Sequence, residues 1–73
     1  MKTLAKLKPG QSAHVAQVHG TGALPLRLME MGFTRGVVVT LRKTAPLGDP
    51  LHVQLRGYSL SLRRADAALV ELL

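Results

Sequence analysis

Gly36-Val37-Val38-Val39-Thr40-Leu41-Arg42-Lys43-Thr44-Ala45-Pro46-Leu47-Gly48-Asp49-Pro50-Leu51-His52-Val53-Gln54-Leu55-Arg56-Gly57-Tyr58-Ser59-Leu60-Ser61-Leu62 decides the fold. Three runs of it alternate with period two, the spacing that sends successive side chains to opposite faces of a strand. Val37, Val39 and Leu41 point inward in the first run and Leu51, Val53 and Leu55 in the second. Val38, Thr40, Arg42, His52, Gln54 and Arg56 point outward. The third run, Tyr58 to Leu62, turns Leu60 and Leu62 in and Ser59 and Ser61 out. Ala45-Pro46-Leu47-Gly48-Asp49-Pro50 supplies a hairpin loop with both prolines outside the strand interiors, and Gly57 links the second and third strands tightly.

Working outward, Arg63 to Ala67 breaks the alternation as one helical turn, and Leu69 to Leu72 resumes a strand. The first strand lies near Ala13 to Val18. Its inward set changes parity between Val15 and Val18, which calls for a bulge near Ala16-Gln17. Ala23 to Met31 is the one helical piece. Leu24, Leu28 and Met31 fall at i, i+4 and i+7, Gly32 stands where a left-handed cap residue belongs, and Pro25 is tolerated in the first turn. Thr21 or Gly22 is its N-cap. Five strands with one short helix inserted after the first predict a mainly β fold, a small, strongly bent antiparallel barrel.

Composition narrows the chemistry. Seventy-three residues make one domain, 1–73, with no room for a cleft between domains. No cysteine is present, so disulfides, thiolate metal sites and thiol nucleophiles are excluded. Met1 to Lys8 alternates Lys with apolar residues and offers no unbroken apolar stretch for a secretory signal, and no run approaches the roughly 20 residues that span a bilayer. The cytoplasm is the expected location.

Catalysis finds no support. Glu30, Asp49, Asp66 and Glu71 lie on four different elements, and Ser12, Ser59 and Ser61 lack the His/Asp spacing of a nucleophile. His19-Gly20-Thr21-Gly22 precedes a helix but lacks the Gly-Lys-Ser/Thr ending of a phosphate loop. His14, His19 and His52 are weak surface candidates for adventitious transition-metal binding. Their spacing defines no site, and no carboxylate neighbours a histidine in sequence. No resident cofactor is expected.

Ten Lys and Arg against four Asp and Glu give a formal charge of +6. Arg42 and Arg56 are expected on one outward face of the central hairpin, with Arg63 and Arg64 just beyond the next strand, a positive patch for nucleic acid, acidic protein or anionic lipid headgroups. Nucleic acid is the rival partner, but Phe33 and Tyr58 are the only rings and both are expected at least partly packed, which leaves no stacking platform. If Leu24, Leu28 and Met31 are buried, Pro25, Leu26 and Met29 form an apolar strip on the flanking or exposed helix surface.

Taken together, Leu4-x-x-Leu7-x-x-Gly10, Leu28-Met29-Glu30-Met31-Gly32-Phe33-Thr34-Arg35-Gly36, Ala45 to Pro50, and Arg56 to Ala67 resemble the FeoA family nearly end to end. The resemblance implies a small cytosolic SH3-like barrel that accompanies FeoB, the inner-membrane ferrous iron transporter with a cytosolic GTPase domain. A similar barrel forms the C-terminal domain of DtxR-type repressors. The implied role is accessory: binding to FeoB, peripheral to the membrane through that partner, as a monomer or weak homodimer. Leu26 and Met29 on the helix, with Arg42, Arg56 and Arg63, are the candidate contacts. A basic nucleic-acid-binding barrel and a free-standing metal-sensing barrel are the alternatives.

Overall fold

A computed structural model describes all residues, 1–73. A 3-10 turn at Leu4–Lys6 leads into β1 (Ser12–Val18), α1 (Ala23–Glu30), β2 (Val38–Thr44), β3 (Leu51–Leu55), β4 (Tyr58–Leu62), the single turn α2 (Arg64–Ala67) and β5 (Val70–Leu72). The strands form one antiparallel sheet in the order β4-β3-β2-β1-β5. The expected class, strand count and inserted helix all hold.

β1 is the strand on which the sheet bends. Its first half pairs with β2, Ser12 opposite Thr40 and His14 opposite Val38, and its second half pairs with β5, Val18 opposite Val70. The register slips between Val15 and Gln17. The extra residue there is Ala16, at the point where the inward parity changes in sequence. A second slip, between Leu41 and Lys43 of β2, leaves Arg42 as the extra residue and has no counterpart in the alternation.

The aliphatics of the central strands converge on one dry interior. Val39, Leu41, Leu51, Val53 and Leu55 join Leu4, Val15, Leu28, Phe33 and Val70, all essentially inaccessible to solvent. Burying each such side chain stabilises the fold by roughly 1.5–3 kcal/mol.

The helix is closed at its C-terminus by backbone geometry. Gly32, at φ +116°, donates its N–H to the Met29 carbonyl at 3.0 Å, and the Phe33 N–H reaches the Leu28 carbonyl at 3.2 Å. This is the Schellman pairing, with Phe33 and Leu28 as its hydrophobic contact. The cap turns the chain so that Phe33 is delivered into the core. Of the expected inward helix set only Leu28 is buried; Leu24 and Met31 are half-buried. Pro25, expected on a flanking or exposed face, is buried. Pro25 packs back over Gly20, where an added Cβ would lie 3.1 Å from the proline ring, so the strand-to-helix turn closes over it.

The two sheet edges differ. Beside β5, Thr3 bridges to Glu71 and the Leu72 N–H donates to the Lys2 carbonyl at 2.8 Å, so the N-terminal segment covers that edge. β4 pairs with β3 and with no other strand.

Candidate functional site

Of the apolar helix strip read from the sequence, Leu26 and Met29 are exposed and Pro25 is not. Leu26 is 56% and Met29 41% exposed. A groove of about 390 Å³ is lined by Met29 and the buried Phe33 from the helix end, by Ala16 and Val18 at the β1 bulge, and by Gln17 and Arg35. Arg35 also donates to the Ala16 carbonyl at 3.2 Å, so the bulge that bends β1 is tied to the wall of this groove.

The basic patch does not form as one surface. Arg56 is not on the outward face of a strand. It occupies the first position of a two-residue turn between Leu55 and Tyr58, with φ +49° at Arg56 and +80° at Gly57. Two positive φ values in succession define a type I′ turn, whose twist matches that of the flanking strands. Strand alternation therefore stops at Leu55, and the Arg56 guanidinium turns toward the helix cap, donating to Thr34 Oγ1 at 3.0 Å. Arg42, exposed in the β2 bulge, and Arg63, exposed after β4, lie toward the other end of the hairpin, because Leu62 pairs with Leu51 while Tyr58 pairs with Leu55. Arg64 belongs to neither group. It is half-buried and structural: its Nε donates to the Gly48 carbonyl at 2.9 Å and its Nη1 to the Ala5 carbonyl.

The three histidines stay apart in role. His14 is exposed on β1, and His52 Nδ1 shares a hydrogen bond with Ser61 Oγ across β3 and β4 at 3.0 Å. His19 acquires a carboxylate partner that its sequence neighbours do not contain. Its Nε2 lies 2.5 Å from Glu71 Oε1, and Gln17 Nε2 donates to the same oxygen at 3.3 Å. The β1–β5 register brings these three side chains together from 52 and 54 residues apart. Only the pairing of β1 with β5, which alternation does not specify, would have disclosed them. Leu47, at the tip of the β2–β3 loop, is a second surface feature the alternation did not single out. It is 97% exposed, in a Pro-Leu-Gly turn.

The hydrogen bond from His19, and then that from Gln17, holds the Glu71 carboxyl below its usual pKa. A carboxylate with a lowered folded-state pKa adds stability above its unfolded pKa and loses it as pH falls through the folded value. Glu71→Gln is therefore expected to flatten the acid limb of the stability profile, at and below the ordinary carboxylate range. Urea midpoints measured across pH 2–7 check this. An identical acid limb in both proteins would mean the pair is not formed in solution.

No three His, Asp or Glu side chains converge. Phe33 is fully buried and Tyr58 donates its hydroxyl to the Met31 carbonyl, so no two rings stand free side by side. No helix is long and apolar enough to cross a membrane.

The model of the FeoA domain matches residues 2–72. A curated Fe(2+) transport protein A/Fe(2+) transporter FeoB fusion protein of Porphyromonas gingivalis is 41% identical over 68 residues, covering 93% of this chain. The chain spans only 8% of that relative's own length. Among solved structures, the FeoA-like protein of Clostridium acetobutylicum superposes with a TM-score of 0.91 at 30% identity, covering 99% of this chain and 84% of that one. The FeoA of Stenotrophomonas maltophilia, an SH3 domain protein solved in complex with zinc, gives 0.88 at 34% identity, covering 99% and 89%. The barrel is thus SH3-like.

Proposed function

This chain belongs to the FeoA family, associated with ferrous iron transport, and from that premise we propose that it is a non-catalytic binding module for an FeoB-type transporter. The observation that carries the proposal is the fusion: a segment 41% identical to this chain occurs in one polypeptide with FeoB in the Porphyromonas gingivalis protein. Two activities joined covalently there are joined here by contact. The module works from the cytoplasmic side, without a resident cofactor, and modulates the transporter's cytosolic GTPase region or gate.

Such modulation has a thermodynamic requirement. A partner shifts a conformational equilibrium only by as much as it prefers one state over the other, so the docked surface must contact one conformation of FeoB better. Leu26 and Met29 suit the centre of that contact, being apolar and exposed, with Met29 lining the groove. Arg42, Arg56 and Arg63 serve acidic groups on the partner. Because Arg56 lies near the helix cap and the other two lie at the far end of the hairpin, they act at separate places.

Leu26→Asp with Met29→Asp is expected to weaken capture of purified, detergent-solubilised FeoB by tenfold or more, since losing about 1.4 kcal/mol from desolvated apolar anchors at an interface centre already costs a factor of ten. Both positions are solvent-exposed, so the thermal midpoint of the free chain should move little. Titration of FeoB on immobilised chain measures the affinity. Undiminished binding would remove the helix strip as the contact.

A further inference from the structure

β4 is a bare sheet edge in a molecule that covers its other edge. In the two-residue hairpin Leu55 and Tyr58 exchange main-chain hydrogen bonds, and so, by alternation, do Val53 with Leu60 and Leu51 with Leu62. Ser59 and Ser61 therefore aim their N–H and C=O groups away from β3. No turn, loop or cap bond uses those groups, and both residues are exposed. The edge Tyr58-Ser59-Leu60-Ser61-Leu62 carries no charge, proline or bulge, the features that ordinarily discourage pairing.

Charge tells which strand would fit. Arg56 and Arg63 bracket the edge, and neither is paired with a carboxylate, since His19–Glu71 is the chain's one ion pair. A second copy fits poorly. Antiparallel self-pairing centred on Leu60 aligns the outward groups of Ser59 with those of Ser61, but it sets Arg63 opposite Gly57 and Arg64 opposite Arg56, gathering like charge at both ends. Side-chain alternation adds a further condition. Tyr58 and Leu60 lie on the core side of the sheet and remain partly exposed, whereas Ser59 and Ser61 lie on the polar side with His52.

We propose that β4 is a docking edge for an extended acidic segment of a partner protein, which adds as a sixth strand by main-chain pairing with Ser59 and Ser61 and meets Arg56 and Arg63 with carboxylates. The segment alternates apolar side chains, packed beside Tyr58 and Leu60, with acidic ones on the Ser59 and Ser61 side that reach Arg63, and a further acidic residue at its end, on the Tyr58 side, reaches Arg56 beside Thr34. The inference deepens the FeoB-binding proposal and rests on it only for the partner's identity.

The probe is a seven-residue blocked peptide alternating valine with glutamate, titrated into the isotope-labelled chain; a valine–lysine peptide is the control. Saturation is expected to slow hydrogen exchange at the Ser59 and Ser61 amides by more than about tenfold, against little change for the control. Ser59→Pro removes one outward donor and none of the bonds to β3, and proline is tolerated on an edge strand. It should weaken the glutamate peptide by about tenfold while leaving the control unaffected. If Ser59→Pro loses its cooperative thermal transition, Arg56→Glu with Arg63→Glu carries the test and should reverse the preference toward the lysine peptide. No binding at millimolar peptide, protection confined to α1, or an unaltered preference in the reversed-charge variant overturns the proposal. So does concentration-dependent dimerisation through β4. FeoB capture separates the two levels: capture lost in Leu26→Asp with Met29→Asp but intact in Ser59→Pro ends edge pairing alone, whereas no capture by the natural chain ends FeoB binding itself.

Discussion

Phe33→Ala should remove about 3–5 kcal/mol of folding stability, the usual cost of emptying a fully buried aromatic site. A chain of 73 residues has roughly 4–11 kcal/mol in total at ordinary stability per residue, so about a quarter to all of it is at stake. Phe33 is wholly inaccessible and is the largest side chain of the core. The substitution leaves the helix cap intact, because the cap uses the Phe33 main-chain N–H and the positive φ of Gly32, neither of which alanine alters. The loss therefore reports packing alone. Phe33→Leu, which keeps most of the volume, should cost only about 1–2 kcal/mol. Urea unfolding followed by circular dichroism gives both values. A loss under about 1 kcal/mol in the alanine variant would mean that the interior does not close around this ring.

Arg64→Ala comes next, at about 2–3 kcal/mol, from a residue that a sequence reader assigns to the surface charge. Hydrogen bonds from a charged donor contribute about 1.5–3 kcal/mol each, and removing the donor leaves its acceptors unpaired. Here one guanidinium reaches the carbonyls of Gly48 and Ala5, while the residue's own N–H donates to Asp49 Oδ1 at 3.0 Å. Three segments remote in sequence meet at this side chain: the β2–β3 loop, the start of α2 and the 3-10 turn. The Asp49 bond survives in the alanine variant and the fork does not. Lysine offers one charged nitrogen in place of a planar fork, so Arg64→Lys should recover less than half of the loss. At about 4–8 °C per kcal/mol for a chain of this size, the alanine variant should melt about 10–20 °C lower. Full rescue by lysine would show that charge, and not the bridging geometry, carries the effect.

These two residues mark the limit of what was legible. The strands, the helix and the β1 bulge were readable because each leaves a local periodic trace. Gly32 betrayed the helix end through its residue type, the one that takes a positive φ without strain. Arg56 misled because alternation was extended one residue past Leu55, into a turn where Arg-Gly stands in for the more usual Asn-Gly. Pro25 misled because helical phase alone does not register the chain folding back over Gly20. Arg64 and the His19–Glu71 pair were invisible for a different reason. Both depend on contacts between segments remote in sequence, Arg64 with Ala5 and Gly48 and His19 with Glu71, and the order in which elements become neighbours leaves no periodic imprint. The exposure of Leu26 and Met29 followed directly from the phase of the helix.

The N-terminal cover on β5 has a mechanical corollary. Because the Leu72 amide meets the Lys2 carbonyl, the two ends of the chain emerge side by side. Tension applied between them loads that seam in a peeling direction, one bond at a time, and not as a collective shear of the core. Under a tug from attached neighbours, the terminal ribbon would yield first and the barrel would outlast it.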